Sequence, residues 1–314
     1  MGRNYIVSDV GGTHLRAACF PIDSDKPTVV KRIPTKGPGT PHERLINLFD
    51  SVIPKNEEIV AITIAAPGPL DPFEGMIFKA PNIPAWKNLP LRKIIQEKFN
   101  VPVAIGNDAN LAALGEWRFG AGKGHRNLVY ITVSTGIGGG VIIDNQMLLG
   151  LRGLAAELGH VTVIPDGPLC SCGQRGHLEA VSSGPAIARW AEQELSQGIP
   201  SSMAGKQPIS AIIVSQAAKQ GDELARAALA RSGTYLGIAI ADYLHIFNPS
   251  MVIIGGGVSQ SGEALFEPMR TAMHEHVMSS KYLENLTLTT AALGDDVGLM
   301  GALALAQNIS DTES

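Results

Sequence analysis

The segments IVSDVGGTHLRAACF (residues 6–20) and VYITVSTGIGGGVII (residues 129–143) decide the fold, because they spell the same device twice. Each is an apolar strand, a glycine turn carrying a threonine, and a second strand. In the first, residues 5–9 and 15–20 are strands joined by the tight hairpin-type turn GGTH at 11–14. In the second, residues 128–134 and 141–144 flank TGIGGG at 135–140. An internal duplication of this kind predicts two related halves.

Working outward, residues 28–33 extend the first hairpin to a meander, and 42–52 have helical periodicity with Leu45, Leu48 and Phe49 on one face. Residues 59–66 are almost continuously β-branched or small and apolar, which suits a strand buried on both faces. Proline and glycine then break residues 67–90 into a long loop, a class that more often serves function than filler. A helix at 91–99 and a strand at 101–105 lead to Asn107-Asp108, where Asp108 or a neighbour caps a helix at 109–119. After a polar connector at 120–125, the second half carries helices at 185–197, 222–247 and 264–273 and strands at 250–254 and 287–291. An apolar helix at 297–307 closes the chain. The pattern predicts a two-lobed α/β protein with a ligand cleft between lobes. Its small lobe is residues 1–119, completed by the helix at 297–308, and its larger lobe is 120–296.

The 314 residues are 45% hydrophobic and 17% charged, enough for sizeable cores. A net charge of −4, with no basic run, argues against nucleic acid as a partner. Three cysteines fit a reducing cytosol better than a disulfide framework. No apolar run reaches the length of a membrane span, the N-terminus reads directly into a strand, and Ile6 breaks the myristoylation pattern. A cytoplasmic protein is expected.

Chemistry-bearing residues gather at three places. ELGHVTVIPDGPLCSCGQRGHLE (residues 157–179) contains His160, Cys170, Cys172 and His177, four N/S donors for one tetrahedral Zn²⁺, with Glu157 and Glu179 just outside them. Without a metal this is a surface loop with two ordinary thiols. Asp9, Gly11, Gly12 and Thr13, together with Thr135, Gly136 and Gly138, present backbone N–H groups that can cradle phosphates, or simply close hairpins. Asp9 can orient a hydrated Mg²⁺ or bond within its own turn. Gly255, Gly256 and Gly257 follow a buried strand and offer either a flat surface for a nucleobase or ribose or a close helix–strand crossing. Asp108, at a strand's C-terminal end, is the general-base candidate; its other role is to cap its helix. Neither a Walker loop nor a G-x-G-x-x-G opening a helix is present.

In this order, DVGGTHLR, GNDANLAALGE, STGIGGG and LAAELGH with CSCGQRGHLE resemble the motifs of the ROK family (repressors, open reading frames, kinases), and within it the bacterial-type glucokinases, over nearly the whole chain. The resemblance implies an actin/hexokinase-like fold, a ribonuclease H-like duplication closing on sugar and nucleotide. It implies that Asp108 takes the proton from a sugar 6-hydroxyl, and that Asn82, Asn107, Glu157, His160 and Glu179 hold the other hydroxyls. His160 then serves twice, one ring nitrogen on zinc and the other toward sugar. The family's usual third cysteine is His177 here, which makes the expected zinc site Cys2His2. ATP with Mg²⁺ as the donor, a structural Zn²⁺ and a homodimer are likewise implied. The resulting expectation is phosphorylation of glucose. The alternatives are another hexose or N-acetylhexosamine (fructose, N-acetylglucosamine, N-acetylmannosamine), polyphosphate as donor, or a non-DNA-binding sugar sensor.

Overall fold

The computed structural model describes residues 2–312. The first half runs β1 (Arg3–Val10), β2 (His14–Pro21), β3 (Val29–Pro34), α1 (Pro41–Val52), β4 (Glu58–Ala66), β5 (Leu70–Asp71), β6 (Met76–Lys79), β7 (Lys87–Leu89), α2 (Leu91–Phe99), β8 (Val103–Asn107) and α3 (Asp108–Phe119). The second runs β9 (Leu128–Val133), β10 (Ile137–Ile143), β11 (Gln146–Met147), α4 (Leu178–Ser182), α5 (Gly184–Ser196), α6 (Ala211–Lys219), α7 (Glu223–Phe247), β12 (Met251–Gly255), α8 (Glu263–His276), β13 (Thr287–Thr290) and α9 (Val297–Thr312).

The duplication is visible in the sheets. Their orders are β3-β2-β1-β4-β8 and β11-β10-β9-β12-β13, the same arrangement in each half. The central strands β1 and β9 are antiparallel to β2 and β10 and parallel to β4 and β12, respectively. The inner strands β1, β4, β9 and β12 are accordingly buried along most of their length, as strands covered on both faces are. One core lies between the first sheet and α1 and α2; another lies between the second sheet and α5–α8. The result is a mixed α/β structure of two lobes.

One helix belongs to both lobes. Residues 109–116 of α3 are all buried. Leu111 and Leu114 pack on the first sheet together with α9, while Ala112 and Ala113 pack on Leu128, Tyr130 and Ile142 of the second. Small residues make this possible. A Cβ on Gly301 of α9 would stand 1.9 Å from the Leu111 carbonyl oxygen, so α3 and α9 cross backbone to backbone.

Three expectations need correction. Residues 67–90 are not one irregular loop, because β6 pairs antiparallel with both β5 and β7; these strands are too short to show alternation. The turn expected at 135–140 ends at Gly136, and Gly138–Gly140 lie inside β10. Gly138 and Gly140 admit α3, since a Cβ on Gly140 would meet that of Ala113 at 2.5 Å, while Gly139 makes room for Leu158 on the other face. Helices α4 and α6 were not expected at all. No helix among the described residues is long and apolar enough to cross a membrane.

Replacing Gly301 by alanine forces α3 and α9 apart. It is expected to destabilise the protein by about 2 kcal/mol, as for other overpacked interiors, and to lower Tm by several degrees. An unchanged Tm would show that the crossing has slack.

Candidate active site

The first glycine turn is braced from behind. Gly11 N–H donates to the His14 carbonyl at 2.9 Å, closing the hairpin. Thr35, buried just after β3, donates its hydroxyl to the Gly11 carbonyl at 2.6 Å and its N–H to the Thr13 carbonyl at 2.9 Å. Nothing in the sequence marks Thr35, because its partners lie two strands away. Asn82, between β6 and β7, sits directly over the turn, where a Cβ on Gly12 would come within 2.5 Å of its own. Asp9, at the end of β1, rests against the first turn of α9, since a Cβ on Gly298 would lie 2.5 Å from its carboxyl carbon. Burial pushes the Asp9 carboxyl above its usual value; Arg16, its cross-strand partner, works in the opposite direction.

Asn107, not Asp108, caps α3: its side-chain oxygen accepts from Ala109 N–H at 3.0 Å and Asn110 N–H at 3.2 Å. Asp108 is thereby left as the first helical residue. One of its oxygens accepts from Ala109 N–H at 2.8 Å. Asp108 is exposed to solvent, yet protein crowds its carboxylate. Desolvation by that crowding pushes it up to about 6, against the Ala109 hydrogen bond and with help from the negative charges of Asp9 and Glu157. Asp9 and Glu157 are therefore near enough for their charges to act on Asp108.

Glu157 and His160 come from a distorted stretch of backbone. Ala156 is left-handed (φ +65°). Glu157 then sits at the centre of an inverse γ-turn (φ −71°, ψ 60°) closed by Leu158 N–H on the Ala156 carbonyl at 2.7 Å. A single 3₁₀ turn, Leu158–His160, follows. Buried Tyr243 of α7 anchors it by donating its hydroxyl to the Leu158 carbonyl at 2.5 Å. Tyr243 is a second residue that only the folded chain reveals. His160 Nε2 lies 4.0 Å from a Glu157 oxygen. Glu157 is pushed up by burial, with His160 lowering it and Glu179 raising it.

Glu179, in the first turn of α4, ties the second glycine turn to the metal loop. One oxygen accepts from Ile137 N–H at 3.1 Å and the other from the Ser171 hydroxyl at 2.6 Å. A Cβ on Gly136 would collide with that carboxylate at 2.6 Å, while Thr135 stands exposed at the turn's tip. Gly138 is not part of this turn, and its bare α-carbon faces Ala109 instead. Gly255 is packed on Tyr130 and Gly256 on the Val133 carbonyl, both in the neighbouring strand β9 rather than in a helix, while Gly257 faces open space.

The donor atoms of His160, Cys170, Cys172 and His177 all lie within 4.8 Å of one another. His177 Nδ1 is 3.3 Å from both His160 Nδ1 and Cys172 Sγ, and Cys170 Sγ is 3.7 Å from His160 Nδ1. Bonds of about 2.0–2.1 Å to nitrogen and 2.3 Å to sulfur around a tetrahedral ion set ligand spacings of about 3.3–3.8 Å, which these three distances match. His160 turns Nδ1 inward and leaves Nε2 on the cleft side, beside Glu157. Burial pushes the Cys170 thiol up to about 11; a cation at the centre of the four is what would hold it as thiolate.

The family model described as "ROK family" matches residues 5–309. The chain belongs to the ROK family. Among ROK relatives, a glucokinase of Thermotoga maritima is 38% identical over 288 residues, covering 90% of this chain and 86% of that one. A ROK glucokinase of Streptomyces griseus, solved with glucose and AMPPNP, superimposes with a TM-score of 0.82 at 34% identity, over 97% of this chain and 99% of that one. A ROK transcriptional regulator, a homologue of the E. coli MLC protein, superimposes with a TM-score of 0.90 at 28% identity, over 98% of this chain and 78% of that one.

The four-donor cluster predicts one tetrahedral divalent cation per chain. Cobalt-substituted protein should show the intense visible absorption of tetrahedral Co²⁺ with thiolate charge transfer, and His177→Ala should weaken binding and change the spectrum. A pale octahedral spectrum, or one indifferent to His177, would exclude the site as described.

Proposed function

We propose that this ROK protein transfers the γ-phosphoryl group of ATP to the 6-hydroxyl of a hexose, glucose first. The observation that carries the reading is Asp108. Asn107 relieves it of capping, one of its oxygens accepts from Ala109 N–H, and the negative charges of Asp9 and Glu157 reach it. A carboxylate with its pKa raised to about 6 is ionised at neutral pH and more basic than an ordinary aspartate, which suits a general base. The glucokinase relatives and the glucose complex of the Streptomyces griseus protein support glucose as acceptor.

In this reading Asp108 accepts the 6-hydroxyl proton as that oxygen attacks the γ-phosphorus and the bond to ADP breaks. Asn82, Asn107, Glu157, His160 and Glu179 hold the remaining hydroxyls. Gly11, Gly12, Thr13, Thr135 and Gly136 turn N–H groups to the phosphates, and Gly257 leaves room for base or ribose. Mg²⁺, when bound with the nucleotide, supplies charge compensation at the phosphates; Asp9 is the residue to orient its water shell. Zinc at His160, Cys170, Cys172 and His177 orders the loop whose two ends carry Glu157 and Glu179. The small lobe is residues 1–119 with the returning helix α9, and 120–296 is the larger lobe.

The likeness to a transcriptional regulator favours a second reading, a sugar sensor using the same cleft. The two part on turnover. MgATP-dependent ADP release is expected with glucose above fructose, mannose, N-acetylglucosamine and N-acetylmannosamine. Asp108→Asn should keep sugar affinity and lose about 10²–10⁴-fold in kcat, the usual worth of general-base catalysis. A base works only unprotonated, so kcat/KM should fall as pH drops through about 6. Sugar binding without turnover would favour the sensor. Full activity in Asp108→Asn, or an acid limb near the ordinary aspartate value, would remove Asp108 as base.

A further inference from the structure

Glu116, the last residue of the GNDANLAALGE motif, has no part in the chemistry above, yet five backbone N–H groups converge on it. Its side chain is fully buried in α3. One carboxylate oxygen accepts from Ala292 N–H at 2.9 Å and Leu293 N–H at 2.8 Å; the other accepts from Ala121 N–H at 2.8 Å. Its own carbonyl accepts from Gly120 and Gly122 at 3.0 and 2.9 Å. The contacts with Ala292 and Leu293 cross most of the chain, while the other three hold the turn that leaves α3. Residues 120–127 are where the chain leaves α3 for the second sheet, and residues 291–296 are where it returns from that sheet to α9. Both passages between the lobes are therefore gripped by one carboxylate.

The two helices joined there each govern one end of the site. Asp108 is the first residue of α3, and the first turn of α9 lies against Asp9. Near the grip the helices touch through Gly115 and Gly301, where a Cβ on Gly115 would stand 2.8 Å from the Gly301 nitrogen. Any rotation of one lobe against the other bends the chain at these two passages.

We propose that Glu116 is a positioning residue: it locks α3 to α9 at the lobe crossover and so holds Asp108 and Asp9 in fixed relation during transfer. The lock rests on the kinase reading only for what Asp108 and Asp9 do; its mechanical part does not.

Glu116→Gln tests it. An amide has one acceptor oxygen and an NH2 group, so it can serve the Ala292 and Leu293 N–H groups or that of Ala121, but it opposes N–H to N–H on the other side. The variant should fold, with kcat reduced about 100-fold, as misalignment near 1 Å can do, while sugar affinity changes by less than about threefold. Ile240→Val, a core change remote from the crossover, serves as the comparison and should keep its kcat at a similar loss of Tm. Hydrogen exchange in Glu116→Gln should quicken together in peptides spanning 116–125, 288–296 and 6–14. A kcat within twofold of the parent, an equal loss in Ile240→Val, or faster exchange confined to 116–125 would each overturn the lock. If the parent protein transfers no phosphoryl group, the kinase reading fails, and the exchange pattern still decides the lock.

Discussion

Everything at the cleft depends on one helix being shared. α3 is buried on all sides between two sheets that have separate cores, and it can be so only because its surroundings are stripped of side chains. Gly140 and Gly138 open the second sheet to it, and Gly301 opens α9. Because α3 cannot shift without disturbing both lobes, the residue at its first position, Asp108, is fixed relative to both glycine turns. The site inherits its precision from packing rather than from its own hydrogen bonds, of which Asp108 makes few.

The metal loop solves a different problem. Glu157 projects from irregular backbone, where conformational entropy works against a defined position, and Glu179 opens α4 at the loop's far end. Four donor atoms from one loop converge within 4.8 Å of one another and bring its two ends together, and each end is also anchored separately. The Tyr243 hydroxyl fixes the Leu158 carbonyl, and the Ile137 N–H and Ser171 hydroxyl fix Glu179. His160 belongs to both systems through its two ring nitrogens, so the metal ligands and the cleft are coupled through one imidazole.

Much of this was legible in the sequence, and the reason is repetition. The paired strand–turn–strand segments predicted two related halves, and the sheets have identical order. The donors of the metal loop were legible because they sit close together along the chain. What escaped detection acts across distance. Thr35 braces Gly11, Tyr243 reaches Leu158, and Glu116 holds Ala292, pairs that no local pattern connects. Glycine misled where it served packing: Gly138–Gly140 read as a turn because spacing alone does not distinguish a residue that bends the chain from one that admits a helix. The short strands β5–β7 escaped for a related reason, as two to four residues carry no period.

The central claim is that Asp108 meets a primary hydroxyl at the junction of the two lobes. Phosphorus NMR of the product formed from glucose and MgATP tests it most directly. The account predicts a single phosphomonoester signal coupled to the two C6 protons. A phosphate on the anomeric or a ring carbon, or no product at all, would contradict it.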